Sequence, residues 1–180
     1  MLVSDFGFRA SDFVMKVPMS DKVYSITFGG IGGQGILKAS EICSWAALFA
    51  GYHVKKSEVH GMSQRGGSVE SHVRFGKRVY SPLVPMGGAD VLVCFHPEEH
   101  PRLQAFLSKD GIDLSGYLEK ATQALADNPR GLNTCLVGVL SAKLPIKEEH
   151  WMKAIETVFK GKGVEENKKV FLDGRKLGQS

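Results

Sequence analysis

The sequence predicts an α/β domain, and three observations carry that prediction. Val23–Phe28 has the length and apolar content of a buried strand. It runs directly into a glycine-rich stretch, Gly29-Gly30-Ile31-Gly32-Gly33-Gln34-Gly35, and Ile36–Ala50 then carries apolar residues at helical spacing. Strand, glycine turn and helix in that order open a layered sheet with a helix packed on its face. A hairpin-like pair further on makes the sheet mixed, so the expected architecture is a three-layer, Rossmann-like domain with a mixed, largely parallel sheet.

Each element follows from local pattern. The first helix keeps Ile36, Leu37, Ala39, Ile42, Cys43, Ala46, Ala47 and Ala50 on one side, and Gly51 supplies the usual C-terminal stop. Tyr52–Ser57 reads as a short second strand and Glu58–Gly67 as a polar, glycine-containing loop. Ser68–Phe75 alternates polar and apolar residues, and Gly76-Lys77 reads as a turn into Arg78–Ser81, with Pro82 and Pro85 ending the hairpin. Ala89–Phe95 is a near-continuous apolar run, the pattern of a strand covered on both faces. Helices are expected around Glu98–Leu107, Leu114–Ala126, Leu132–Leu144 and Lys147–Phe159, with a last one over Val164–Asp173 stopped by Gly174.

The chain has 180 residues, 43% of them hydrophobic, which suits one domain with a single core. The formal net charge of +4 is spread without a Lys/Arg stripe interleaved with aromatics, so nucleic acid is not an expected partner. Cys43, Cys94 and Cys135 are scattered in apolar contexts; neither a disulfide framework nor a cluster of thiolate ligands is expected from them. They read as buried thiols in a reducing compartment. No run of eighteen apolar residues occurs, so a membrane span is not expected, and neither is a secretory signal in the mixed residues 1–18. Cytoplasmic localisation is therefore expected. Met19 directly precedes the first strand-like run, so residues 1–18 are read as an N-terminal extension and 19–180 as the domain.

The glycine stretch satisfies G-x-G-x-x-G at Gly30, Gly32 and Gly35, with Gly33 between. Glycines let backbone approach a phosphate, and the following helix offers unpaired N–H groups. One reading is thus a nucleotide (NAD or FAD)-binding oxidoreductase domain, with Glu58 after the second strand as the candidate ribose ligand. The other is a structural turn, with an anion or a partner's ligand above it. The chain leaves no room for a separate substrate domain. If the turn is tight, Gly32→Val is expected to impair folding or assembly.

The stretch Ser57-Glu58-Val59-His60-Gly61-Met62-Ser63-Gln64-Arg65-Gly66-Gly67 packs a carboxylate, an imidazole, an amide and a guanidinium among glycines. That density of directional polar groups exceeds what a turn requires. The plain alternative is that Glu58 pairs with Arg65 and only holds the loop. His53, His72, His96, His100 and His150 are dispersed without ligand spacing, and no catalytic residue is assigned.

These motifs in order, the glycine stretch with Gln34, the His60-Gly61-Met62-x-Gln64-Arg65-Gly66-Gly67 loop, Ser81-Pro82-Leu83-Val84-Pro85 and Ala89-Asp90, resemble the gamma family of 2-oxoacid:ferredoxin oxidoreductases. The loop is most similar to that of the indolepyruvate branch. The resemblance spans about Val23 to Leu177 and implies a pyruvate/ketoisovalerate oxidoreductase gamma-type domain. It implies a reaction in which a 2-oxoacid is oxidatively decarboxylated, usually with CoA, and ferredoxin accepts the electrons. It also implies that thiamine diphosphate, magnesium and iron–sulfur clusters reside on thiamine-binding and ferredoxin-type partner subunits, with none in this chain. Asp110-Gly111 and Asp173-Gly174 do not complete a thiamine motif. The chain would be inactive alone, either completing the active-site and CoA region or serving purely as a structural assembly subunit. Gly30, Gly32, Gly33 and Gly35 are candidates for phosphate or CoA approach, and Glu58, His60, Gln64, Arg65, Gly66 and Gly67 for a partner or active-site loop. Between Pro101 and Tyr117 the chain reads as short, without an additional strand that relatives carry.

Overall fold

A computed structural model describes residues 21–61, 66–126 and 128–180. Among them, strand β1 (Tyr24–Ile31) leads through the glycine turn into α1 (Ile36–Phe49), and β2 (His53–His60) and β3 (Ser68–Gly76) follow. Next come β4 (Ala89–Cys94), α2 (His100–Gln104), β5 (Leu107–Asp113) and α3 (Leu118–Ala124), then α4 (Leu132–Ser141), α5 (Glu148–Phe159) and α6 (Val164–Gln179). The sheet order is β2-β3-β1-β4-β5. β3 is antiparallel to both of its neighbours, while β1, β4 and β5 are mutually parallel. Four strands therefore run one way and β3 alone runs against them, the mixed, largely parallel α/β sheet that was expected.

Alternation sorts the two sheet faces. Ile26 and Phe28 of β1, Val73 and Phe75 of β3, and Val91 and Val93 of β4 form the main core with Ile42 and Ala46 of α1, Leu136 and Leu140 of α4, Trp151 of α5 and Phe171 of α6. On the opposite face Leu92 and Cys94 pack beneath Leu103 of α2. That second layer is thin: a five-residue helix and an irregular segment, 78–88. Gly51 does end the first helix, in the left-handed region at φ 86°.

Several sequence expectations are corrected. β1 continues through Gly29 and Gly30 to Ile31, because both glycines pair in the ladder with β3. β2 reaches His60, which places Glu58, Val59 and His60 on a strand and not in the loop. The hairpin joins β2 to β3, and residues 78–81 form no strand. Val79 donates its N–H to His53 Nδ1 (3.0 Å), and the Arg74 guanidinium takes the carbonyls of Ser81 and Leu83, so side chains satisfy this backbone in place of a ladder. The helix expected over Glu98–Leu107 is a 3₁₀ turn, Pro97–Glu99, plus α2, and the supposedly missing strand is present as β5. β5 was hidden because it is a polar, bulged edge strand that lacks the apolar alternation of a core strand. The helix expected over Leu114–Ala126 is also shorter, a 3₁₀ turn followed by α3. Finally, α6 passes through Gly174 to Gln179. A Cβ at Gly174 would overlap the Cys135 carbonyl of α4, and one at Gly138 would overlap the Phe171 carbonyl of α6. These glycines set how closely two helices approach, and neither is a stop signal.

Candidate functional site at the carboxyl edge of the sheet

The turn after β1 is built from its own side chains. Gln34 folds back so that its Oε1 accepts the Ile31 N–H (2.8 Å) while its Nε2 donates to the Phe95 carbonyl (3.0 Å), tying the ends of β1 and β4 together. A Cβ on Gly30 would lie 2.7 Å from Gln34 Oε1 and 2.9 Å from Phe95 Cβ. Gly35, at φ 79°, is the N-cap of α1 and carries Asn133 against the place where its own Cβ would be, 2.5 Å away. Packing inside the protein therefore accounts for Gly30 and Gly35. Gly33 differs: φ is 100° and nothing lies within 4 Å of its Cβ position. Gly32 is also exposed, and α1 starts with no side-chain cap and no acidic residue in its first turn. The solvent side of the turn thus offers open backbone and uncapped N–H groups, which suit an approaching anion.

The turn and the second loop meet. Gly32 donates its N–H to the Gly67 carbonyl (2.9 Å), and Gly61 donates to the Ser68 carbonyl (2.8 Å) to close the base of the β2–β3 loop. Gly66 sits at φ 68°. Gln64 and Arg65 lie outside the described residues. Glu58 and His60 are on β2, where Glu58 pairs with Lys56 (2.6 Å) and stands 3.7 Å from His60. Glu58 is level with Ser71 of β3, which is in turn level with Phe28 of β1, so it stands mid-strand and two strands away from the glycine turn. A dinucleotide fold instead places the acidic residue on the strand next to the first. The interposed antiparallel β3 removes the ribose role foreseen for Glu58.

The site also contains residues that sequence reasoning missed. On the thinly covered face Thr27 Oγ1 lies 3.1 Å from His72 Nδ1, and His72 Nε2 is 3.8 Å from Glu70. Arg102 of α2 bridges Glu70 and Glu99, and the other Glu99 oxygen accepts from the Ser68 hydroxyl (2.8 Å). The chain of contacts runs from the middle of β1 to the base of the signature loop. Burial pushes the His72 imidazole below its usual range, with Glu70 only partly offsetting this, so His72 is neutral near pH 7. Burial alone would raise Glu99, yet the hydrogen bonds from Arg102 and Ser68 prevail and hold it below the ordinary carboxylate value. Nearby, His100 Nε2 lies 2.6 Å from Asp113 Oδ2; burial alone would raise Asp113, and only together do the bonds from His100 and Ser115 outweigh it, leaving its pKa lowered. The signal was Ser68-x-Glu70-x-His72-x-Arg74, polar at every second residue of one strand. Alternation alone reads such a face as solvated, and only the position of β3 inside the sheet with α2 above it buries Glu70 and His72.

The carboxyl ends of β1 and β4 also diverge. β1 feeds α1 into the main core, whereas β4 feeds α2 onto the other face. Crevices at such a switch point are where open α/β sheets take ligands. The thiols do not fit an iron–sulfur cluster. Cys43, Cys94 and Cys135 are buried on three different elements; burial raises all three, Cys135 to about 11, and no metal-binding group of side chains occurs among the described residues.

Residues 25–115 and 111–177 match the family described as pyruvate ferredoxin/flavodoxin oxidoreductase. The chain belongs to that family. Among curated relatives, indolepyruvate oxidoreductase subunit IorB of Thermococcus kodakarensis is 54% identical over 91 residues, 51% of this chain and 45% of that protein. The matched stretch is thus about half of that relative's length. The protein of the same name from Archaeoglobus fulgidus is 34% identical over 83% of this chain and 92% of its own. The keto/oxoacid ferredoxin oxidoreductase gamma subunit of Geobacter sulfurreducens superposes with a TM-score of 0.72 at 24% identity, covering 87% of this chain and 98% of that one. In 2-oxoglutarate:ferredoxin oxidoreductase of Magnetococcus marinus, whose structure holds 2-oxoglutarate, coenzyme A and succinyl-CoA, the same fold accounts for 32% of a longer chain, with a TM-score of 0.74 at 20% identity. Both structural likenesses speak for the fold. No helix among the described residues is long and apolar enough to cross a membrane.

Proposed function

We propose that this chain is the gamma-type subunit of a thiamine-dependent, cytoplasmic 2-oxoacid:ferredoxin oxidoreductase acting on indolepyruvate or a related 2-oxoacid. It carries no redox cofactor itself and completes the active-site and CoA region of the complex. Thiamine-binding and ferredoxin-type subunits are its partners, and a larger partner chain supplies what the longer Magnetococcus chain holds in one polypeptide. Thiamine diphosphate with magnesium on a partner supplies the carbanion chemistry, and partner iron–sulfur clusters pass electrons to ferredoxin. The names of the relatives support the substrate class. The observation that carries the reading is the Gly32 N–H···Gly67 carbonyl hydrogen bond, which brings the glycine turn and the signature loop together at the switch point.

Within that reading each residue has a physical task. Gly33 presents bare backbone to a phosphate or CoA, and Gly32, its N–H taken by Gly67, leaves room for close approach, while Gly30 and Gly35 let Gln34 and Asn133 lock the turn beneath it. Arg65 offers five donors in a planar fork suited to a carboxylate or phosphate, and Gly66 and Gly67 let a partner's backbone come close. Gln64, His60 and Glu58 flank it in sequence as further partner contacts. The test is Arg65→Ala reconstituted with the partner subunits. The isolated variant is expected to melt like the wild type, while turnover or subunit affinity falls at least about tenfold, roughly 1.4 kcal/mol. Normal assembly, CoA dependence and turnover in that variant would refute the role. An Arg65 that only tied down its own loop would, when replaced, lower the stability of the isolated chain and the assembled activity in proportion.

A further inference from the structure

One motif in the sequence has no task in the site. Ser81-Pro82-Leu83-Val84-Pro85 lies in segment 78–88, which crosses the thinly covered sheet face without secondary structure of its own. It is nevertheless held firmly. Val79 and Val84 are buried, at 2% and 5% exposure, and anchor it from below. Arg74 Nη1 donates to the carbonyls of Ser81 (3.1 Å) and Leu83 (3.2 Å) while its Nε donates to Ser25 Oγ (3.1 Å). Ser57 Oγ donates to the Pro82 carbonyl (3.4 Å), and Gly87 donates its N–H to Ala105 (2.9 Å).

What this frame displays is apolar. Tyr80, Leu83 and Met86 are 78%, 60% and 68% exposed, more than any other large hydrophobic side chain among the described residues. Three such side chains within seven residues, on backbone already fixed, form a strip that can be covered with little further ordering cost. Its rim is basic. Lys55 extends from the edge strand level with Arg74, and the Arg78 guanidinium stands 5.4 Å from the Tyr80 ring. Neither Lys55 nor Arg78 has a carboxylate within ion-pair distance among the described residues.

We propose that the Tyr80–Leu83–Met86 strip is the docking surface for the larger partner chain of the complex, which meets it with an apolar centre and an acidic rim. This rests on the subunit reading above. Unpaired cations beside an apolar strip favour a carboxylate-bearing partner, since a second copy of this chain would bring Lys55 and Arg78 against a like-charged rim. Docking here leaves the glycine turn free, because the strip hangs from His53, Ser57 and Arg74, over the amino half of β1, while the turn is at the carboxyl edge of the sheet.

The test uses the full chain and the larger partner chain, purified separately and titrated calorimetrically, with the double variant Leu83→Asp, Met86→Asp beside the wild type. Both side chains are exposed, so the variant is expected to melt like the wild type and to bind at least about thirtyfold more weakly. Arg78→Glu is expected to weaken binding and flatten its salt dependence. Hydrogen exchange on the wild-type complex provides a reading independent of any variant, with slowed exchange expected over 80–87. Binding by the double variant within threefold of wild type, or no protection over 80–87, overturns this surface and leaves the subunit reading standing. A wild-type chain that does not bind the partner overturns the subunit reading itself. A homodimer dissociated by the double variant, with partner binding intact, assigns the strip to a second copy and also overturns the proposal.

Discussion

Gly35 and Gly32 are three residues apart in one motif and answer to different constraints. Gly35 needs the left-handed region and yields its Cβ space to Asn133, whereas Gly32 is outside that region and a Cβ there would meet only Gly67 O at 3.5 Å and Val69 Cγ2 at 3.8 Å. The steric constraint expected at Gly32 is thus weak there and strong at Gly35. Gly35→Ala is expected to cost about 1–3 kcal/mol in urea denaturation, and Gly32→Ala to change stability by no more than about 0.5 kcal/mol. Equal losses would show that the turn is constrained as a unit. His72 gives a second residue-level prediction. Its folded pKa lies below 6.5 through burial, so above that value it is neutral folded or unfolded and contributes nothing to pH dependence. As pH falls below it, the unfolded chain takes up a proton that the folded chain resists, and stability drops. Glu99 and Asp113 act lower, because their depressed pKa values give stability that is present above the ordinary carboxylate range and lost as pH falls through the folded values. Tm is expected to start falling as pH drops below about 6.5, with His72→Asn flattening that onset and leaving the steeper acid loss in place. An unchanged slope in that variant would contradict a neutral, buried His72.

At the scale of elements, β3 decides the site. By joining β1 antiparallel and pushing β2 to the edge, it turns a motif that matches a dinucleotide fingerprint into a different sheet, and it buries Glu70 and His72 under α2. The contact of α4 with α6 is set by absent side chains. Gly138 and Gly174 bring each helix's backbone against the other's carbonyls: Gly138 faces the backbone of Phe171, Gly174 and Arg175, and Gly174 faces the backbone of Cys135. Gly138→Ala and Gly174→Ala are each expected to destabilise by more than about 2 kcal/mol, since the added methyl meets backbone that cannot rotate away. Thermal or urea unfolding measures this, and a loss below 1 kcal/mol would show that the helices can slide apart at little cost.

For the molecule as a whole, the domain brings together an open glycine turn, a signature loop and an exposed apolar strip, with its thiols hidden. Expressed by itself, the chain is expected to be colourless, free of stoichiometric iron and thiamine diphosphate, and inactive toward 2-oxoacids. Elemental analysis and visible absorbance check this, and a cluster charge-transfer band would overturn it. Activity is expected to return only when the partner subunits are added, which a reconstitution assay reads directly.

The order of strand, glycine turn and helix, the apolar run of β4 and the periodicity of α1, α4 and α5 were legible because each expresses a local steric or solvation preference that acts within a few residues. So were the family motifs, since residue identity alone carries them. The partner of β2, the existence of β5, the passage of α6 through Gly174 and the burial of the Thr27–His72–Glu70–Arg102–Glu99 chain of contacts were not. Each depends on which distant segment lies alongside, an energy that a strand's own alternation or a helix's own glycine does not contain. Tertiary structure alone determined that polar residues on β3 face inward and that the two signature segments meet through Gly32 and Gly67, because burial and hydrogen-bond partnership are properties of the neighbour supplied by the fold.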